Sequence, residues 1–533
     1  MNNIINWLLK PFKNDFSYFL LVLILITSID IYDFSKRGLI PYTIYLFFYG
    51  YVITYLLCLM INTLPSKLTS ISKIIIIIIS TLLFIADILS LYIYEQKFTT
   101  DFLTIFIQTN ISEAKEFIET YISLSFVSII FLLLFSLLSS YYWSKKHIRL
   151  KNNIIYLAFI GVVAGGIMII RNPMTYKDSF IGRVLELKLT SIPINIPNLK
   201  KYEIQPQLSI LKKQQPQNIV ILIGESFSKS HSSLYGYSKQ TNPRLTTITD
   251  SLLFIYKNVT SAAQGTFASI KCIMSTYKPE YKDSIEWYKC ITLPKTMQTA
   301  GYQTFWISNQ SKIGLFDTGV GRYADLCDYQ HFVGDKFAGM NRINFKDEAI
   351  IDILHPILQD TINNNIYFIQ LMGSHQNFKH RYPNTFEIFK KGDYLNFPEH
   401  QRENLANYDN SILYNDSVVY EIMDLFQDKE AIIFYLSDHA IDVYESSDHF
   451  IGHAKGTDPK SVEAGSKIPF MIYTSPLYQQ NFPNEMEQIK RCTEQPFRTD
   501  DMIYTIMDII GVTFKGESLE GKSIFQLSSN KNN

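Results

Sequence analysis

Five long apolar stretches crowd the first 170 residues and constrain this chain more than any other feature. They run approximately Phe16–Phe34, Pro41–Ile61, Ile74–Tyr94, Tyr121–Trp143 and Ile154–Ile170. A helix of about 20 residues crosses a bilayer core. The run from Lys73 through Ile79 to Tyr94 argues against a set of buried soluble helices. The first stretch is not a cleavable leader, because no small-residue cleavage site follows it and more spans come after. Asp30 and Asp87 are expected near span ends or facing a bundle interior, since a carboxylate in lipid is costly.

The loops orient this bundle. Lys10 and Lys13 precede span one, Lys67 and Lys73 separate spans two and three, and Lys145, Lys146, Arg149 and Lys151 separate spans four and five. The alternate loops hold fewer cations, chiefly Lys36 and Arg37, then Lys97 and Lys115. The positive-inside rule puts the N-terminus in the cytoplasm. Five crossings then place everything after about Arg171 outside the membrane. Net charge is zero, with 49 basic and 49 acidic residues, so nothing global indicates a nucleic-acid partner. Cys272, Cys290, Cys327 and Cys492 fall in the outer part, an even number suited to an oxidising compartment. Their pairing is open among three possibilities.

The expected organisation is a five-span transmembrane domain over 1–171, a linker with a bridging helix over 172–217, and an α/β domain over 218–533. Repeated prolines in SIPINIPNLKKYEIQPQ mark the linker. Beyond it, short apolar runs alternate with helical-length segments, the pattern of a largely parallel sheet. The runs are 218–224, 302–308, 365–373, 431–437 and 469–475. The first ends in Glu225 and Ser226, the second in Asn309 and Gln310, the third in Ser374 and His375, the fourth in Asp438 and His439. Ligands of open α/β sheets bind beyond the carboxyl ends of the strands. Carboxylate and imidazole groups delivered to one edge suit Zn²⁺, which keeps a position open in catalytic sites.

A nucleophile is also needed. The small-residue segment NVTSAAQGTFASIKCIMS, 258–275, reads as a turn opening a helix, whose free N–H groups suit a phosphate. Thr260, Ser261, Thr266 and Ser269 all offer hydroxyls there, and spacing alone does not choose among them. An unaided hydroxyl is a poor nucleophile and requires a metal.

Four segments carry a resemblance: GESFSKSHSSLYGYSKQTNPRL at 224–245, GSHQNFKHRYP at 373–383, NYDNSILYNDSVV at 407–419 and YLSDHA at 435–440. Together, in this order and behind five spans, they resemble the phosphoethanolamine transferases of bacterial surface glycolipids, members of the alkaline phosphatase/sulfatase superfamily. The resemblance implies a sulfatase-like outer domain and zinc held by Glu225, Thr266, Asp438 and His439, with Thr266 as nucleophile. It gives His375 and His453 the task of binding phosphate or protonating the leaving group, with His449 as a second candidate. IQTNISEAKEF at 107–117 resembles a family segment lying over the site, making Thr109 and Glu113 candidates for the phosphoethanolamine group. Asn309, Gln310 and Lys312 complete the expected substrate contacts.

The resemblance further implies transfer of phosphoethanolamine from phosphatidylethanolamine to lipid A or a lipopolysaccharide core, by a monomeric enzyme of the bacterial inner membrane with its catalytic domain in the periplasm. Ala440 stands where the family has Gly, and Gln376–Asn377 where it has Gly-Pro. The Asn309–Gln310 pair is more like the branch that modifies the core. The alternatives are a phosphoglycerol transferase or sulfatase-type hydrolase on the same fold, and a non-catalytic receptor derived from one. The Thr266 neighbourhood lacks the Cys/Ser-x-Pro/Ala-x-Arg context of sulfatases, and Glu113 suits an ammonium.

Overall fold

The computed structural model describes residues 2–36, 38–94, 97–98, 118, 122–171, 197–212, 214–281, 284–310, 312, 319–333, 346–360, 364–448, 450–452 and 458–527. The chain divides into two units, Met1–Ile194 and Asn195–Asn533.

In the first unit, five helices are long and apolar enough to cross a membrane. They are α1 (Phe16–Lys36), α2 (Ile40–Ile61), α3 (Ser66–Tyr94), α4 (Leu124–His147) and α5 (Asn152–Arg171), preceded by two short helices, Asn2–Leu8 and Lys10–Asn14. Large apolar side chains such as Leu132, Leu157 and Ile170 stay exposed. That arrangement is costly in water and ordinary in lipid, where tails are as apolar as leucine. Asp30 and Asp87 are buried, at 3% and 2% exposure, as the cost of a lipid-facing carboxylate demands.

The second unit is built on a seven-stranded sheet. Its strands in chain order are β1 (Asn218–Gly224), β2 (Leu253–Tyr256), β3 (Gln303–Ser308), β4 (Tyr329–Phe332), β5 (Asn365–Gln370), β6 (Ala431–Ser437) and β7 (Phe470–Thr474). Their spatial order is β2-β7-β6-β1-β5-β3-β4. The pairs β6–β1, β1–β5, β5–β3 and β3–β4 are parallel. The expected last run, 469–475, forms β7, which lies antiparallel to both β6 and β2. Every residue of β1, β5 and β6 is buried. Separate apolar clusters cover the two faces: Ile219, Ile221 and Ile223 join one, Val220 and Leu222 the other. A sheet buried on both sides explains why these strands read as unbroken apolar runs.

Two helices position the site. Helix α6 (Thr266–Ile273) begins at the candidate threonine, and α7 (Glu399–Leu425) buries Tyr408, Asp409 and Asn410 against the loops beyond β1 and β5. The four outer cysteines are buried and unbridged, with Cys272 and Cys290 in one small cluster around Tyr277. Of the expected linker, 172–196 lies outside the described residues; Leu199–Lys201 forms a short 3-10 turn.

Candidate active site at the carboxyl edge of the sheet

β1 and β6 are neighbours in parallel register, Gly224 opposite Ser437. The next residue of each strand is therefore delivered to the same point: Glu225 from one, Asp438 and then His439 from the other. Ligand atoms of these three buried residues all lie within 4.8 Å of one another. His439 Nε2 is 3.2 Å from Glu225 Oε1 and 3.5 Å from Asp438 Oδ2.

The chain turns sharply after Glu225. Ser226 adopts φ 57°, a left-handed conformation that costs a non-glycine residue about 1–2 kcal/mol. The turn is held from α7, whose Tyr408 hydroxyl donates to the Ser226 carbonyl at 2.8 Å and accepts from the Ser228 N–H at 2.8 Å. The Ser226 hydroxyl in turn donates to Glu225 Oε1 at 2.7 Å, and its N–H to Asp438 Oδ1 at 3.3 Å. Gly373, at φ 51°, packs against the same turn. A Cβ there would stand 2.8 Å from the Glu225 backbone N and O, so this approach requires glycine.

Thr266 is the first residue of α6 and half-buried. Its hydroxyl donates to Glu225 Oε2 at 3.0 Å and lies 3.5 Å from His439 Nε2. The other hydroxyls of the segment are used differently: Ser269 donates to the Ala263 carbonyl at 2.8 Å, Thr260 belongs to a two-residue strand, and Ser261 is buried. Gln310 also reaches the group, donating to Glu225 Oε2 at 3.0 Å and to the Leu371 carbonyl at 3.1 Å. The Gln370 side-chain amide donates to Gln310 Oε1 at 2.8 Å and fixes the orientation of that side chain.

The electrostatics of the three residues are linked. Burial alone raises the Glu225 carboxyl, but the adjacent His439, with His375 and the Ser226 hydroxyl, outweighs it and holds Glu225 well below the usual carboxylate range. Burial, and next the Glu225 charge, push Asp438 well above that range. Burial pulls the His439 imidazole down, yet the Asp438 and Glu225 carboxylates hold it up to about 9. Two carboxylates this close do not both ionise cheaply without a cation.

Three observations fit a divalent metal of the zinc type. Asp438 Oδ2 is buried and makes no hydrogen bond within the protein. His439 Nδ1 lies 2.8 Å from the Ala440 carbonyl, which can only accept, so the proton sits on Nδ1 and Nε2 faces the carboxylates. The donor set is imidazole nitrogen and carboxylate oxygen, with a hydroxyl alongside.

The other expected site residues are placed as follows. His375 follows β5, and its Nδ1 is buried without a hydrogen bond. The Asn309 side chain turns to Asp347, donating to Oδ1 at 2.8 Å, and Asp347 also accepts from the Met372 and Gly373 N–H groups at 2.8 Å each. Lys312 pairs with Asp325 at 3.0 Å and donates to Gln330 at 2.6 Å. Thr109, Glu113, His449 and His453 lie outside the described residues. Sequence reasoning passed over the roles of the Ser226 hydroxyl, Gln370 and Tyr408. Ser226 carried a signal by its place next to Glu225, and Tyr408 by its place in the segment 407–419.

The sulfatase family model matches residues 217–512, the span that contains this site. Phosphoethanolamine transferase EptC of Escherichia coli (strain K12) is 24% identical over 485 residues, covering 83% of this chain and 81% of that protein. Phosphoethanolamine transferase EptA of Helicobacter pylori is 26% identical over 438 residues, covering 78% of each. Among solved structures, the integral membrane protein lipooligosaccharide phosphoethanolamine transferase A from Neisseria meningitidis aligns over 93% of this chain and 95% of its own, with a TM-score of 0.70 at 16% identity. The C-terminal periplasmic domain of the E. coli EptC protein, in complex with Zn, aligns over 60% of this chain and 89% of its own, with a TM-score of 0.53 at 23% identity. The fold of both units thus recurs in a membrane protein of known structure, and the matched model spans more than half of the sequence: this chain belongs to the sulfatase family, and the relatives it matches there are phosphoethanolamine transferases.

Proposed function

We propose that this protein is a membrane-anchored phosphoethanolamine transferase that moves the group from phosphatidylethanolamine to a surface glycolipid, a lipid A or a lipopolysaccharide core, by way of Thr266. The observation that carries this reading is the Thr266 hydroxyl placed 3.0 Å from Glu225 beside a buried group of two carboxylates and an imidazole whose ligand atoms lie within 4.8 Å of one another. The names of the relatives supply the transferred group, and the name of the Neisseria meningitidis protein, a lipooligosaccharide phosphoethanolamine transferase, supplies the class of acceptor. By the same reading the second unit lies in the periplasm of a bacterium, anchored in the inner membrane.

Glu225, Asp438 and His439 would hold a zinc ion, with the Thr266 oxygen beside them. Bound there, zinc would lower the pKa of an adjacent hydroxyl and take up charge from phosphoryl oxygens. The residues of the chain account for the rest. Thr266 Oγ1 attacks phosphorus, its proton leaving toward Glu225 Oε2, which already accepts that hydrogen bond. The bond from phosphorus to the diacylglycerol oxygen breaks, and a histidine protonates the departing alkoxide; His375 and His453 are the candidates. A phosphate or sugar hydroxyl of the acceptor then attacks phosphorus and gives its proton to that histidine, while the bond from phosphorus to Thr266 Oγ1 breaks and the threonine oxygen takes back the proton held at Glu225 Oε2. Gln310 and Gln370 keep the Glu225 carboxylate turned to the threonine. Both substrates are lipids, and a chain with five spanning helices raises their effective concentration.

The test uses the full chain, loaded with zinc, in vesicles of phosphatidylethanolamine with added lipid A. Diacylglycerol release matched by phosphoethanolamine-bearing lipid A supports the reading, as does loss of both on treatment with a chelator. Release of free ethanolamine phosphate at the full rate without acceptor would assign a hydrolase instead.

A further inference from the structure

Ten large apolar side chains are exposed among the described residues of the second unit, and three of them crowd the stretch 388–397: Ile388 at 61%, Leu395 at 68% and Phe397 at 41%. Single exposed apolar residues are ordinary, but a run of them on one loop is not. This loop is fastened. Asn410 Oδ1 accepts the N–H groups of Ile388 and Phe389 at 3.0 and 2.8 Å, and its amide donates to the Phe389 carbonyl at 2.9 Å. The buried Tyr394 hydroxyl donates to Asp409. Arg402 closes the far end, donating to the Phe397 carbonyl at 2.8 Å. The loop is thus pinned to consecutive residues of α7 while Ile388 and Leu395 stand in solvent.

Cations surround these side chains. Lys390 and Lys391 are exposed, Lys239 lies 4.2 Å from the centre of the Tyr394 ring, and Lys379 and Arg402 complete the group. They face three carboxylates, Glu387, Asp393 and Glu399, of which Glu387 is paired to Lys379 and Lys390. The loop also has a defined side. Tyr408, next to Asp409 on α7, holds the turn that follows Glu225, so the loop lies at the carboxyl edge of the sheet with the candidate site.

We propose that residues 386–398 form a membrane-contact loop: Ile388, Leu395 and Phe397 enter the headgroup region of an anionic bilayer, and the lysines meet its phosphates. Apolar tips ringed by lysine suit that interface. The same chain carries five helices apolar enough to cross a membrane, so a bilayer is the one partner tethered to it at all times. The inference stands on surface chemistry and is independent of the transfer reaction.

The full chain is reconstituted into vesicles of phosphatidylethanolamine and phosphatidylglycerol, with a fluorophore on Leu395→Cys or Ile388→Cys. The wild-type chain, whose five cysteines are buried, is the labelling blank. Leu477→Cys is the reference: Leu477 is 42% exposed and follows β7, whose end at Thr474 pairs with Ile432 at the start of β6, so it lies at the opposite edge of the sheet. Quenching by headgroup nitroxide lipids should be several-fold stronger at 395 and 388 than at 477. Lys390→Gln and Lys391→Gln should each lower the docked-to-undocked ratio by about fivefold. Equal quenching at all three positions overturns the proposal. So does energy transfer between labels on two copies in place of lipid quenching, which would assign the loop to a second copy. Should Leu395→Cys fail to fold, the Ile388→Cys pair of measurements decides alone.

Discussion

In the helical unit, Lys97 Nζ lies 3.0 Å from Asp30 Oδ1, 3.7 Å from Asp33 Oδ2 and 4.7 Å from the centre of the Phe34 ring. At the carboxyl edge of the sheet, Glu225 and Asp438 share the single imidazole of His439. Both groups bury two carboxylates. The first holds a lysine ammonium and reads as a structural clasp; in the second, the described residues within reach of both carboxylates supply only the His439 imidazole. Other buried acids near that edge are well supplied. Asp409 accepts from His231 at 2.7 Å, from Tyr237 at 2.8 Å and from Tyr394. Asp347 accepts from three donors. Buried charge that folding leaves incomplete is where a ligand belongs.

The largest expected effect comes from removing the incomplete group. Asp438→Asn and His439→Ala should abolish bound zinc in the purified full chain, measured by elemental analysis, and lower turnover by several orders of magnitude. Without zinc, Asp438→Asn should melt no lower than the metal-free wild type, because it relieves two carboxylates pressed together. A sharp fall in its melting temperature would make the group a structural ion pair like that at Lys97.

Next is the clasp itself. Lys97→Met removes the ammonium from beside Asp30 and Asp33 and should lower stability by up to about 3–5 kcal/mol, the range for breaking a buried ion pair from one side. Denaturant unfolding of the chain in detergent reads this directly. Asp30→Asn should cost less, since Asp33 still faces the ammonium.

Tyr408→Phe keeps the ring, which packs on His231 and Phe378, and deletes only the hydroxyl that holds the Ser226 turn. A loss of about 1–3 kcal/mol in stability is expected, together with weaker zinc binding in a metal titration. A stability loss with unchanged zinc affinity would separate the turn from the site. The smallest effect is a control. Lys257 and Glu494 pair at 2.7 Å with side chains 62% and 63% exposed. Lys257→Ala should change stability by less than about 1 kcal/mol, less still in salt, which would show that burial and not contact distance sets the contrast.

Much of the fold was legible because its central strands are buried on both faces. β1 and β6 fall at the residues expected, 218–224 and 431–437, since an unbroken apolar run bounded by polar residues has few other uses. β2 and β4 were not read: both are sheet-edge strands of four residues, too short to show a pattern. Strand direction was hidden too, since apolar content is the same for β7 running either way. Glu225, Asp438 and His439 stood out by their position after strands. Thr266 did not, for Thr260, Ser261 and Ser269 offered hydroxyls in the same segment and only family resemblance chose among them. The Ser226 turn was illegible, since no glycine marks it and the residue that stabilises it, Tyr408, lies 182 positions away.

The central claim is that Thr266 carries the transferred group, and trapping it there is the most direct test. The zinc-loaded full chain is incubated with phosphatidylethanolamine and no acceptor, quenched in acid, digested and examined by fragment mass spectrometry. Phosphoethanolamine should appear on the peptide containing Thr266, be absent in Thr266→Ala, and disappear when acceptor lipid is added before quenching. A stable label on Ser226 or Ser261 with Thr266 unmodified, or full turnover by Thr266→Ala, would contradict the account.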